Sequence, residues 1–174
     1  AHAQLFRAYL SATGNDANPC TLAAPCRLLP AALNAVADGG EVWMLDSANY
    51  NTDVVPITKS VTVLAIPGVV GSLVSTGNGA MTLPTANIDV TLRNLVIVPL
   101  PLSGPANGIH VTAEARLTLQ NSTLRGFGGA GILIGAQNTA TFATVHVMDC
   151  TLSENTYGVQ AFSGAYLYVL GSRL

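Results

Sequence analysis

Four segments of the chain repeat the same eight-residue pattern. They are VTLRNLVI from Val90, LTLQNSTL from Leu117, VHVMDCTL from Val145 and LYVLGSRL from Leu167, and VTVLAIPG from Val61 is a looser member. Their first residues lie 29, 27, 28 and 22 positions apart along the chain. A recurring unit of this length indicates a solenoid, in which each unit buries its apolar face against its neighbours.

The order of residues inside each repeat predicts two short strands joined by a bend. The first and third positions are aliphatic and the second is usually threonine, which is the period-2 pattern of a strand with one buried face. The fifth position carries Asn94, Asn121, Asp149 or Gly171. These residue types tolerate a left-handed backbone best, so we expect a sharp bend at the same place in every repeat.

A third short strand is expected after a glycine-rich turn in each unit. The strands begin at Gly108, Gly131 and Gly158, with an earlier echo at Gly79. Neighbouring units then pair in parallel, and their inward side chains stack on equivalent residues of the next unit. The alternation places four residues on the outer face of these strands: Met81, His110, Leu133 and Gln160.

These repeats resemble the right-handed parallel β-helix of the pectate-lyase-like superfold. In that family an Asn-type bend separates the second and third strands of each coil, which implies a side-chain ladder of Asn94, Asn121 and Asp149 here. The stretch SATGNDANPC, followed by TLAAPCRLLPAALNAVADGGEVWMLDSANY, is similar to the opening of secreted bacterial β-helix proteins. The implied fold is all-β, a solenoid that starts with a capping strand and a short α-helix.

The residues around position 30 also favour a helix. An apolar face is supplied by Leu28, Leu29, Ala32, Leu33 and Val36. Pro30 lies near the first turn, where it is tolerated, and Asp38-Gly39-Gly40 is expected to end the helix. Residues 1–40 therefore hold the strand, the cysteine loop and the capping helix, and residues 41–174 form the coils, all within one structural domain.

The cysteines give an indication of the cellular compartment in which the protein folds. Cys20 and Cys26 lie in a loop rich in proline and alanine, and we interpret them as a disulfide, which indicates an oxidising compartment. Two unlinked thiols are the alternative, because spacing alone does not show that the geometry permits a bridge. The opening Ala-His-Ala-Gln has the small-x-small pattern found at the end of a signal peptide, but no apolar region precedes it, and a remnant of cloning is the alternative. The expectation is a secreted or cell-surface protein, with the periplasm as an alternative.

Composition and charge exclude several classes of partner. Seven Lys and Arg against nine Asp and Glu give a net charge of −2 with no basic block, which argues against a nucleic-acid ligand. The longest apolar stretch, from Val61 to Val74, is interrupted by Pro67, Gly68 and Gly71, so no membrane-spanning helix is expected. The pattern indicates no cofactor and no metal centre.

The resemblance also implies where an active site would lie. Lyases and hydrolases of the superfold use outward residues of the strand after the glycine-rich turn, together with the adjoining loops. Such enzymes need carboxylates there, and no carboxylate occupies those positions. His110 with Glu114 is the best catalytic candidate, against a plain interpretation as exposed polar residues on a strand face. Whether the chain is an enzyme stays open, and the missing carboxylates favour a non-catalytic protein.

The same repeats contain a cysteine and a possible acceptor for a glycan. Cys150 takes an inward position and is expected to be a buried, inert thiol. Asn121-Ser122-Thr123 matches the acceptor sequence for N-linked glycosylation, although the bend already accounts for the asparagine.

The last repeat resembles an interior one, whereas the terminal repeats of solenoids are normally atypical. Either the chain is a fragment of a longer β-helix, or another subunit covers this edge. The edge is formed by Leu167, Tyr168, Val169, Leu170 and Leu174.

The low charge of the chain favours contact with another protein. Only 9% of its residues are charged, against about 25% in an average soluble domain. The sequence therefore predicts a structural or adhesive module that associates with itself as an end-to-end oligomer or filament. The alternatives are a polysaccharide lyase or glycoside hydrolase, or a carbohydrate-binding module without catalysis.

Overall fold

The computed structural model describes residues 4–76, 79–101, 106–135 and 140–174. These residues contain one helix, α1 (Leu29–Ala35), and seventeen strands in three sheets. Strands that neighbour one another in a sheet run parallel. In this part of the chain, no helix has the length and apolar character needed to cross a membrane.

The three sheets form the sides of a coil. The first sheet contains, in order, β1 (Leu5–Leu10), β2 (Val36–Met44), β5 (Val61–Ala65), β8 (Asp89–Arg93), β11 (Arg116–Gln120), β14 (Thr144–Met148) and β17 (Tyr166–Leu170). The second contains β3 (Ala48–Asn49), β6 (Gly71–Ser75), β9 (Leu95–Pro99), β12 (Thr123–Arg125) and β15 (Thr151–Ser153). The third contains β4 (Val55–Pro56), β7 (Met81–Leu83), β10 (Ile109–Val111), β13 (Ala130–Ile134) and β16 (Tyr157–Ala161).

The chain visits the three sheets in turn and then returns beside its own earlier strand. After β8, β9 and β10, for example, β11 pairs with β8. About five such turns stack along the molecule. This arrangement confirms the predicted right-handed parallel β-helix with an N-terminal strand and a short helix.

The register of the first sheet follows the sequence repeat. Val61 pairs with Val90, Val90 with Leu117, Leu117 with Val145, and Val145 with Leu167. Four of these side chains are buried inside the coil, namely Val61, Val90, Leu117 and Val145. On each strand, the residue that follows the buried one faces outward. The core is therefore a continuous apolar column inside the solenoid, built from stacked aliphatic residues.

The coils approach closely at the glycine-rich turns before the third sheet. A Cβ atom at Gly108 would lie 2.4 Å from the carbonyl oxygen of Gly131, and one at Gly131 would lie 2.8 Å from that of Gly158. Any other residue at these positions would push successive coils apart.

Helix α1 covers the N-terminal end of the core, with Leu29, Ala32 and Leu33 buried and Pro30 in its first turn. The helix ends earlier than predicted. Val36 already has extended backbone angles, φ −79° and ψ 144°, and starts β2. The reason is tertiary: Val36 pairs with Leu5 of β1, and this strand pairing replaces another helical turn.

Candidate functional site

The outer face of the third sheet is where the resemblance placed an active site. His110 pairs with Thr82 on one side and Leu133 on the other, and Leu133 pairs with Gln160. The prediction for Met81 is wrong, since this side chain is fully buried and pairs with Ile109. The turn before β7 is offset by one residue from its counterparts, so Thr82 takes the outward position. The face carries no carboxylate at these four positions.

His110 and Glu114 have different neighbours in the structure. His110 lies on β10, where its Nε2 atom is 3.1 Å from the carbonyl oxygen of Gly135 and donates to it. Glu114 lies in the turn before β11 and lines an open polar groove of about 200 Å³ on the first sheet. Asp89 and Arg116 lie in the same groove and form an exposed ion pair of 3.1 Å, and His110 is not among the lining residues.

Among residues 4–76, 79–101, 106–135 and 140–174, no three His, Cys, Asp or Glu side chains are grouped as metal ligands would be.

The predicted disulfide is present between Cys20 and Cys26. Asp16, in the same loop, accepts hydrogen bonds from the backbone N–H groups of Arg27 and Leu28, both at 2.8 Å. The Asn18 amide donates to the carbonyl oxygen of Pro25 at 2.8 Å. These polar side chains bind their own loop, so the loop is a structural cap beside α1.

The bend residues share one backbone conformation. Asn94, Asn121 and Asp149 have φ values of 56°, 47° and 52°. Their side chains differ in what they contact. The Asn94 amide donates to the carbonyl oxygen of Ala65 on the preceding coil at 3.0 Å, whereas the Asn121 amide has no hydrogen-bond partner within the described parts of the chain.

Cys150 is a buried free thiol. Its Sγ atom lies 3.1 Å from the carbonyl oxygen of Met148, and burial raises the pKa of the thiol. A thiol that resists ionisation is a poor nucleophile, so Cys150 is placed as a core side chain.

A cluster on the outer face of the first sheet was not found from the sequence. The guanidinium of Arg7 lies 4.0 Å from the centre of the Trp43 ring and 2.7 Å from the carboxylate of Glu41, which also accepts from the Trp43 indole N–H at 3.0 Å. The Glu41 hydrogen bond raises the pKa of Arg7. These contacts tie β1 to β2 across 34 positions of sequence. In the sequence, only the alternation of residues along β2 indicates that Glu41 and Trp43 share its outer face.

The last strand of the first sheet, β17, exposes all five of its residues. Leu167 and Val169 are 38% and 42% exposed, although the equivalent residues of β14, Val145 and Val147, are fully buried. Leu170 and Leu174 are also exposed, at 69% and 55%. Tyr168 faces outward and stacks on His146 with ring centres 4.8 Å apart. We call the surface formed by β17 and Leu174 the terminal face.

Comparison with known proteins places the fold. No family model matches the chain, and no curated protein matches it in sequence. A solved structure of a protein described as a rhamnogalacturonan lyase matches with a TM-score of 0.51 and 14% sequence identity, over 95% of this chain and 50% of that one. The chain thus has a pectate-lyase-like β-helix fold and spans about half the length of that structure. The disulfide between Cys20 and Cys26 is compatible with an extracellular location.

Proposed function

We propose that this chain is a secreted or cell-surface structural module that associates with a second copy of itself through the terminal face. The observation that supports the proposal is the exposure of residues that belong to the core pattern. Leu167 and Val169 continue the inward columns of the coil, yet among the described residues nothing packs over them as β14 packs over β11. Covering them would remove apolar surface from water.

The chemistry of the terminal face suits a second copy. The strand YLYVL contains no charged residue, so two copies can meet without repulsion between like charges. Strand β17 pairs with β14 on one side, and its other edge carries backbone N–H and C=O groups suited to pairing with another strand. Apolar side chains beside an unpaired strand edge are the combination that strand addition uses.

The opposite end of the solenoid determines the geometry of the assembly. There α1 and the disulfide loop cover the core, with Leu29 and Cys26 fully buried. Among the described residues the terminal face is the uncovered end of the coil stack, so we infer that the contact uses this same surface on both copies. Such an isologous contact closes as a dimer with antiparallel β17 strands, in place of an open filament.

Sedimentation velocity over a wide range of protein concentration tests this proposal. The unmodified chain is expected to show a monomer–dimer equilibrium. Val169→Lys, which sets a charge on the terminal face, is expected to weaken association by about tenfold or more. The matched control is Leu22→Lys, since Leu22 is 62% exposed in the disulfide loop at the other end of the molecule.

Two results would overturn the proposal. A chain that stays monomeric at every concentration has no self-association to explain. If Leu22→Lys weakens association as strongly as Val169→Lys, the contact involves the capped end and the tail-to-tail geometry is wrong.

A further inference from the structure

The bend at position 121 requires a left-handed backbone conformation, but it does not require an asparagine. The equivalent bends are formed by Asp149 and by Gly171, with φ values of 52° and 61°. The amide of Asn94 makes the bond to Ala65 described above, while Asn121 is exposed and its amide is unbonded within the described residues. The fold therefore leaves the Asn121 amide nitrogen available.

The two residues after Asn121 are placed differently. Ser122 is buried, and its hydroxyl donates to the carbonyl oxygen of Gln120 at 2.7 Å. Thr123 lies on β12, where it pairs with Val96 and Thr151 and remains partly exposed. Asn121 and Thr123 are thus the two accessible members of the triplet. This triplet is the only Asn-x-Ser/Thr sequence in the 174 residues.

Open space adjoins the Asn121 side chain. Asn121 and Thr123 both line an open groove of about 380 Å³ that runs beside the bends of the first and second sheets. Pro67 and Val70 lie in the same groove, and Val70 is 51% exposed. A group attached to the Asn121 amide can occupy this groove without displacing any core side chain, and it would cover exposed apolar surface.

We propose that Asn121 is an acceptor of an N-linked glycan. In the transfer, a bond forms between Nδ2 of Asn121 and the anomeric carbon of an oligosaccharide carried on a lipid pyrophosphate. The bond from that carbon to the pyrophosphate oxygen breaks, the amide nitrogen loses one proton, and the lipid pyrophosphate leaves. Because the disulfide indicates an oxidising compartment, the chain meets the setting in which such acceptor sequences are used.

The test is the mass of the chain secreted from a eukaryotic cell, followed by peptide mapping. The unmodified sequence is expected to carry a glycan on the peptide that contains Asn121, and enzymatic release should leave aspartate at that position. Asn121→Gly and Thr123→Val should both abolish the modification, while Thr123→Ser should retain it. Glycine suits the left-handed bend, so the first variant keeps the fold.

Matched controls make the same changes on neighbouring coils. Asn94→Gly alters the equivalent bend, and Thr151→Val alters the residue paired with Thr123. Both variants should remain glycosylated. A secreted, folded chain with unmodified Asn121 would overturn the proposal, and so would a glycan that persists in Asn121→Gly. Neither result depends on self-association, because the Asn121 groove lies on the side of the coil and the terminal face lies at its end.

Discussion

Among single residues, Tyr50 and Asp46 link the first coil to the cap. Tyr50 is fully buried and its hydroxyl donates to the Asp46 carboxylate. That carboxylate also accepts from the Ser11 hydroxyl at 2.8 Å and from the Ala12 N–H at 2.7 Å. Burial alone would raise the pKa of Asp46, but the hydrogen bonds from Tyr50, Ser11 and Ala12 outweigh it and lower the pKa. Burial, followed by the bond to Asp46, raises the pKa of Tyr50.

Tyr50→Phe is therefore expected to destabilise the protein. The substitution keeps the buried ring and removes a hydrogen bond to a charged group, which costs about 1.5–3 kcal/mol of unfolding free energy. Urea unfolding at neutral pH measures the loss. The control is Tyr157→Phe, because Tyr157 is 52% exposed and its change should be within about 0.5 kcal/mol of zero. Equal losses in the two variants would contradict the role assigned to the Tyr50 hydroxyl.

The same pair predicts how stability depends on pH. The lowered pKa of Asp46 means that its contribution is present above its ordinary value of 3.8 and is lost as the pH falls through the folded-state pKa. The raised pKa of Tyr50 means that its contribution is present below its ordinary value of 10.0 and is lost as the pH rises beyond it. Tyr50→Phe should flatten the alkaline loss of stability, which unfolding curves above pH 10 would reveal. An unchanged alkaline profile would argue against this assignment.

At the scale of elements, variants at the bends between the first and second sheets measure the cost of backbone strain separately from the loss of a side-chain hydrogen bond. Asn94→Ala places a residue with a Cβ atom, but without a polar side chain, at φ 56°. This strain costs about 1–2 kcal/mol of unfolding free energy. The variant also loses the hydrogen bond to the carbonyl oxygen of Ala65. Asn94→Gly loses only that bond, about 1 kcal/mol. Asn121→Gly should cost less than Asn94→Gly, since its amide has no such bond within the described residues. Urea unfolding of the three variants tests this order, and equal losses for the two glycine variants would contradict it.

The strands also show which parts of the fold can be predicted from the sequence alone. The eight-residue repeats predicted the register of β5, β8, β11, β14 and β17, because the same inward columns recur at the same positions. Met81 was misplaced because alignment by its glycine ignored a one-residue offset, and a slip of one residue turns a strand side chain to the other face.

Contacts that depend on distant pairing were harder to predict. The helix was drawn too long because the pairing of Val36 with β1 is invisible to local propensity. The Arg7, Glu41 and Trp43 cluster depends on the same pairing, and a register irregularity between Leu5 and Arg7 hides it from simple alternation. For the candidate site, the alternation placed His110, Leu133 and Gln160 in one register, but it could not show which groups surround His110 and Glu114.

For the whole molecule, the stability of each coil depends mainly on its contacts with the coils directly beside it. Each interior coil is paired on both sides, so β5 and β8 lose their hydrogen bonds only when adjacent coils also open. The two ends differ. At one end, β1 has its outer side supported by the disulfide loop, since Leu10 bridges to Cys26 and the Tyr9 N–H donates to the Cys20 carbonyl oxygen at 2.8 Å. At the other end, β17 is exposed throughout.

Hydrogen exchange should therefore reveal both this gradient and the proposed dimer. In dilute solution the amides of β5 and β8 are expected to exchange slowest and those of β17 fastest among the strands of the first sheet. When the protein is concentrated enough to dimerise, exchange in β17 should slow by about tenfold or more, because opening the strand must then also break the contact with the second copy. Strand β1 provides the internal control and should exchange at the same rate in both conditions. Slowing in β1 but not in β17 would indicate association through the capped end, and equal rates for β17 at both concentrations would show that this strand is not in the interface.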